Sequence, residues 1–160
     1  MGEWIGRDRR ARTCYGVEEV ALVPGMVTIN PRDVDPSWEL VGKRYKVPIL
    51  AAAMDGVVDV KFAVEMGRLG GIAVLNLDGI QTRYENPDKV LEAIAKATPQ
   101  EATKLVQEVY LKPIKEKLIA ARVEEIKKKK APAAVSCIPQ NAERFEKIAQ
   151  EAGADIFIVQ

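Results

Sequence analysis

The residues that could do chemistry sit where apolar runs stop. Met54-Asp55-Gly56 closes the run Val47-Pro48-Ile49-Leu50-Ala51-Ala52-Ala53, placing a thioether and a carboxylate at its end. Asn76 closes Gly71-Ile72-Ala73-Val74-Leu75, where its amide could donate and accept hydrogen bonds. Cys137 closes a third run that begins at Pro132, and Cys14 and Asn30 lie in the polar stretch before the first run. Each has an ordinary alternative. Met54 also reads as core, Asp55 as a cap of the helix that follows, Asn76 as a turn residue and Asn30 as a loop cap. Cys137 has no histidine or evident cation to depress its pKa and reads as a small buried residue. Gly70-Gly71 precedes a strand, so it reads as a helix stop and not as a phosphate cradle. Lys127 to Lys130 fall at a helix carboxyl end, where cations are favoured, and read as a solvated face and not as a polyanion site.

Composition narrows the chemistry further. The 160 residues hold two cysteines and no histidine. That removes most zinc sites, histidine acid–base work and Ser-His-Asp triads. Two lone cysteines suit a reducing, cytoplasmic setting better than a disulfide scaffold. The net charge of +1 gives no case for nucleic acid. No stretch approaches the roughly 20 apolar residues of a membrane helix, and Met1-Gly2-Glu3-Trp4 is not a secretory signal.

The elements that must position these residues follow from periodicity. Residues 1–16 form a basic arm carrying Arg7, Arg9, Arg10 and Arg12, with an exposed arm preferred over a contact to a neighbouring subunit. Residues 17–23 read as a short strand stopped by Pro24-Gly25, and 26–47 as a wrapping loop with room for a small hairpin. The runs at 47–54, 71–76, 132–137 and 154–159 are continuous apolar strands of the kind buried on both faces. Helices are expected at 59–69, with Asp59 as cap, at 87–97, from 98 to about 111, onward past Pro113 to 130, and at 139–152. Residues 77–86 read as loop. Strand and helix alternate, which means a parallel sheet with crossover helices. No GxGxxG follows the first strand, and the 17–23 strand suits a plug over a barrel floor. The expected fold is therefore α/β, a parallel (β/α)8 TIM barrel of which residues 17–160 supply about the first four units. A full barrel needs about 200 residues or more, so the chain is expected to be an amino-terminal half with an apolar open edge.

Leu22-Val23-Pro24-Gly25, followed by Pro48-Ile49-Leu50-Ala51-Ala52-Ala53-Met54-Asp55-Gly56-Val57 and by Gly67 to Asn76, resembles the IMP dehydrogenase/GMP reductase family. The later strands, 133–135 and 152–159, match more loosely. Typical IMP dehydrogenases insert CBS modules after the second barrel unit. Here only the helical segment 87–130 fills that place, so the resemblance is to the CBS-lacking branch. Asn76 stands where the family often has histidine.

The resemblance implies that Ala52 and Met54 line the pocket of a purine mononucleotide (IMP, XMP or GMP), with Met54 against the purine. It implies cofactor contacts for Asp55, Asn76 and Asn30, with NAD or NADP as cofactor and a monovalent cation held by the missing half. The catalytic cysteine loop, the cofactor-binding Asp and the phosphate loops would lie beyond Gln160, so no catalytic residue is expected within the chain, which is expected to be inactive alone. The parent enzyme would be an oxidoreductase of purine metabolism, oxidising IMP or reducing GMP through a covalent cysteine adduct. A homo-oligomer, or association with the missing half, is expected. Two rivals stay open: a non-catalytic half-barrel assembling with a partner chain, and a different flavin- or phosphosugar-binding barrel.

Overall fold

The computed structural model describes residues 3–4 and 7–160, in two compact units, Met1–Asp35 and Pro36–Gln160. Residues 1, 2, 5 and 6 of the basic arm lie outside the described residues.

In the first unit, β1 (Glu3–Trp4) pairs antiparallel with β2 (Arg10–Ala11), setting Trp4 opposite Arg10. The Arg10 guanidinium lies 4.7 Å from the Trp4 ring centroid, a cation–π distance. The strand expected over 17–23 does not form. Val17–Glu19 is a single 3-10 turn, and Leu22 and Val23 are exposed. The Glu19 carboxylate accepts from the Gly16 amide at 2.7 Å and closes this turn locally. The β-branched composition imitated a strand, but no neighbouring strand pairs with it among the described residues.

The second unit opens with a hairpin, β3 (Trp38–Leu40) and β4 (Lys43–Tyr45). Val41 and Gly42 at its tip have φ of 52° and 68°. Two successive left-handed residues match the twist of a two-residue hairpin turn. This is the small hairpin the wrapping loop had room for. Trp38 Nε1 donates to the Val47 carbonyl at 2.9 Å, and the Trp38 and Tyr45 rings lie 5.9 Å apart.

The remaining elements alternate as expected. They are β5 (Leu50–Ala51), α1 (Val60–Leu69), β6 (Ile72–Asn76), α2 (Ile80–Arg83), α3 (Pro87–Lys96), α4 (Pro99–Leu111), α5 (Glu116–Lys128), β7 (Ala134–Cys137), α6 (Pro139–Glu151) and β8 (Ile156–Val159). The last four strands form one parallel sheet in the order β5-β6-β7-β8. A doubly wound sheet reverses its order at a switch point, whereas strands laid down in sequence are the start of a barrel. Local chemistry fixes the helix ends. Asp59 accepts from the Phe62 amide at 2.6 Å to start α1, and Gly70, at φ 93°, ends it. The Glu101 carboxylate accepts from the Thr98 hydroxyl at 2.7 Å at the start of α4.

Two cores result. On the helix side of the sheet, Leu75 and Val135 pack with Ile119, Val123 and Ile126 of α5 and Phe145 of α6. On the other side, Ile72, Val74 and Ala134 pack under Tyr45, with Trp38 and Leu40 beside it. Within this unit the hairpin therefore covers the sheet's inner face, the part assigned from sequence to the 17–23 strand.

Two further expectations change. The 47–54 run is not buried on both faces: Leu50 is 42% and Met54 57% exposed. Only Leu50 and Ala51 pair, on one side, so β5 is an edge strand. Residues 77–86 contain α2, whose Ile80, Gln81 and Thr82 are all buried. Thr82 Oγ1 donates to the Leu77 carbonyl at 2.7 Å. One helical turn is too short for a period to register in sequence.

Candidate functional site

The sheet register aligns the carboxyl ends of the four strands. Asn76 pairs with Ser136, and Ser136 with Ile158. Leu50 pairs with Ile72 and Ala51 with Ala73, and the pairing of β5 ends there, three residues before Met54. Alternation places Asn76 on the face of Ile72 and Val74, and Ser136 on the face of Ala134, the inner side of the sheet. In open parallel sheets and barrels alike, this end is where function is built.

Ala52 and Met54 present the apolar part of the site, both exposed. The chain doubles back immediately: the Met54 amide donates to the Ala52 carbonyl at 2.8 Å, and the Val58 amide donates to the Met54 carbonyl at 2.9 Å. Met54 is therefore held by its backbone while its thioether stands clear of the core, contrary to its reading as core.

Asp55 turns the other way. Its Oδ2 accepts from the Ile80 amide at 2.9 Å and from the Tyr110 hydroxyl. It thus caps α2, while Asp59 caps the helix immediately after it. Its Oδ1 is buried and has no hydrogen-bond partner among the described residues. A Cβ on Gly79 would collide with this carboxylate, so glycine is required there for space. Tyr110 comes from α4, in the helical segment. Arg83 stacks over its ring at 5.6 Å and donates to the Asp78 carbonyl, with Nη2 at 2.9 Å, and to that of Lys112. Burial, then the bond to Asp55, pushes the Tyr110 hydroxyl well above the ordinary tyrosine range.

Asn76 Oδ1 accepts from the Asp78 amide at 3.0 Å, a turn-forming bond. Its amide nitrogen donates no hydrogen bond among the described residues. The Asp78 carboxylate accepts from the Ile138 amide at 2.7 Å and from the Asn141 side chain, tying the end of β6 to the start of α6. Ser136 Oγ accepts from Gln160 Nε2 at 2.8 Å. Cys137 is fully buried, and burial, then nearby Asp78, pushes its thiol up. It is a core residue, as its sequence context implied.

Asn30 belongs to the first unit, where it is exposed and accepts from the Arg32 amide at 3.0 Å. Its loop-capping alternative is what the structure displays. Tyr110, Asp78, Ser136 and Gln160 were not singled out from sequence. Asp78 had a signal, an acid two residues past a strand end. Tyr110 had none, because its partner lies 55 positions away. No group of three or more His, Cys, Asp or Glu among the described residues could hold a metal ion, and no described helix is long and apolar enough to cross a membrane.

Residues 14–160 match the family described as IMP dehydrogenase / GMP reductase domain. An uncharacterized oxidoreductase of Mycolicibacterium smegmatis is 35% identical over 98% of this chain and 43% of its own length, and one from Mycobacterium tuberculosis has the same figures. The inosine-5'-monophosphate dehydrogenase of Methanocaldococcus jannaschii is 38% identical over 41% of this chain and 13% of its own. An IMP dehydrogenase/GMP reductase-like protein from Corynebacterium glutamicum superimposes with a TM-score of 0.82 at 28% identity, covering 99% of this chain and 44% of that one. The chain thus spans less than half the length of these relatives, and its sheet is a partial TIM barrel. The chain belongs to the IMP dehydrogenase/GMP reductase family.

Proposed function

We propose that the strand ends contribute one wall of a purine-mononucleotide and nicotinamide-cofactor pocket in an oxidoreductase that oxidises IMP or reduces GMP. One observation carries this reading: Ala52 and Met54 stand exposed just past the carboxyl end of β5, which pairs with β6, the strand that ends in Asn76. An exposed thioether beside a small residue suits the face of a purine ring. The carboxamide nitrogen of Asn76 supplies a donor for NAD or NADP, whose own chemistry is hydride transfer, while Asp55, its Oδ1 buried and its Oδ2 held by Ile80 and Tyr110, supports the strand end from behind. These side chains bind and orient. Asn30 has no support as a cofactor contact beyond the family resemblance, because its side-chain oxygen already serves the Arg32 amide.

Cys137 is sealed in the core and does not fit the nucleophile's role, and neither cysteine occupies the nucleophile's place in the family resemblance. On this reading the chain by itself turns nothing over. Its uncovered β5 and β8 edges would join further barrel strands or a second copy, in a cytoplasmic setting. The test is equilibrium dialysis of the chain against IMP and GMP, with absorbance at the nicotinamide band for turnover. Weak saturable binding, abolished by Met54→Asp, with no turnover, supports the reading. Binding untouched by Met54→Asp, or turnover of IMP with NAD by the chain alone, would contradict it.

A further inference from the structure

The opposite end of the sheet carries a feature the proposed function does not use. Lys43 to Lys46 lead into β5, Gly70 into β6, Lys130 to Pro132 into β7 and Asp155 into β8. These segments together line a cavity of about 590 Å³. That lies within the range of small-ligand sites, roughly 300–1,000 Å³. Five cationic side chains (Lys43, Arg44, Lys46, Lys127 and Lys130) face one carboxylate, Asp155.

That carboxylate is already committed. Lys127 Nζ lies 2.9 Å from both of its oxygens, Lys43 bonds to it, and the Ala133 amide donates to it at 2.9 Å. Arg44 is anchored through Ser37 Oγ at 3.0 Å. Lys46 and Lys130 are exposed and make no ion pair among the described residues. The helix dipole explains cations at the end of α5. It does not explain Lys43, Arg44 and Lys46, which converge on the same cavity from the hairpin. Like charges gathered at close range repel, and a bound polyanion would relieve that repulsion.

Lys130 supplies a second observation. It sits just past the end of α5 at φ 59°, with its amide donating to the Lys127 carbonyl at 2.8 Å. Glycine is the residue that takes this left-handed position without strain, as Gly70 does after α1. A lysine here puts a cation on the cavity rim at a conformational cost.

We propose that this basin binds a phosphate-bearing polyanion, a diphosphate or triphosphate group, with Lys46 and Lys130 as its direct ligands and Lys43 and Lys127 held in place by Asp155. The charge run read from sequence as a solvated helix end is, on this account, one wall of a site. A bare polyphosphate and a nucleoside polyphosphate present the same chemistry.

The test titrates the 160-residue chain, in about 150 mM salt to screen loose charge contacts, with inorganic pyrophosphate, ATP and adenosine. Calorimetry provides one readout. The other is Trp38 fluorescence in a Trp4→Phe background, because Trp38 packs on Tyr45 at the cavity wall. Saturable pyrophosphate binding is expected, weakened at least fivefold by Lys46→Ala and abolished by Lys46→Ala/Lys130→Ala. A charge-matched Lys89→Ala/Lys96→Ala control should bind as the parent does. Lys130→Gly should raise the melting temperature while weakening binding, a pairing that a purely structural lysine would not produce. ATP binding tighter than pyrophosphate would identify a nucleotide ligand, and equal affinity a bare phosphate group. No saturation, binding unchanged in the double variant, or adenosine binding as well as ATP would overturn the proposal.

Discussion

The Tyr110 hydroxyl donates a hydrogen bond to the Asp55 carboxylate, joining α4 to the carboxyl end of β5 across 55 positions of sequence. A helix of the 87–130 segment thus steadies the loop that presents Met54. Tyr110→Phe should lower stability by about 1 kcal/mol, below the usual range for a hydrogen bond to a charged group because the ring is partly exposed. The urea midpoint would read this. An unchanged midpoint would mean that the bond contributes nothing.

The same pair sets an alkaline limit. The folded state raises the Tyr110 pKa, so it holds the phenolic proton more tightly than the unfolded chain does. The resulting stability is complete below the unfolded tyrosine pKa, about 10, and is lost as pH rises beyond it. The Tyr110→Phe variant should lack that part of the alkaline decline. Parallel urea curves from pH 8 to 11 would check it.

Asp155 sets the acid side. Burial alone would raise its pKa, but the bonds from Lys43, Lys127 and the Ala133 amide outweigh burial and hold it below the usual carboxylate range. A lowered folded pKa contributes stability above the unfolded value, about 3.9, and that stability disappears as pH falls through the folded value. Asp155→Asn should cost about 2 kcal/mol at pH 7. The gap to the parent should narrow below about pH 4. A gap constant down to pH 2 would contradict the electrostatic account.

Gly79 and Gly56 should behave oppositely. A methyl at Gly79 meets the Asp55 carboxylate, while one at Gly56 meets nothing within 4 Å. Gly79→Ala should cost about 2 kcal/mol through overpacking, and Gly56→Ala should be nearly silent. Thermal melts of the two variants would separate them.

Much of this architecture was legible from sequence, for reasons particular to each element. β6 and β7 are mostly apolar because both faces are covered, and such runs declare themselves. α1 was bounded by Asp59 and Gly70, whose cap chemistry is local. What failed was non-local. The 17–23 stretch has strand composition, but the structure gives it no partner. The ordinary alternative for Asp55 was a cap of the adjacent helix, yet its partners are Ile80 and Tyr110, which only the fold brings near. Lys127 looked like one of four solvated lysines until Asp155, 28 positions on, claimed it. At the candidate site, the places of Met54 and Asn76 near strand ends were legible because the apolar runs before them can be read from sequence. The hydrogen bonds around them could not.

The most direct test of the central claim labels the methionine methyl groups with 13C and follows them by NMR as IMP or GMP is added. There are four methionines. Met54 is exposed at the strand end, whereas the Met66 methyl packs against Gly71. With Met54→Leu used for assignment, the Met54 methyl should shift with a saturable, millimolar dependence as the purine ring comes to lie on it, and the Met66 methyl should stay in place. A Met54 signal that does not move, or all four methyls moving alike, would contradict the claim that this strand end receives a purine nucleotide.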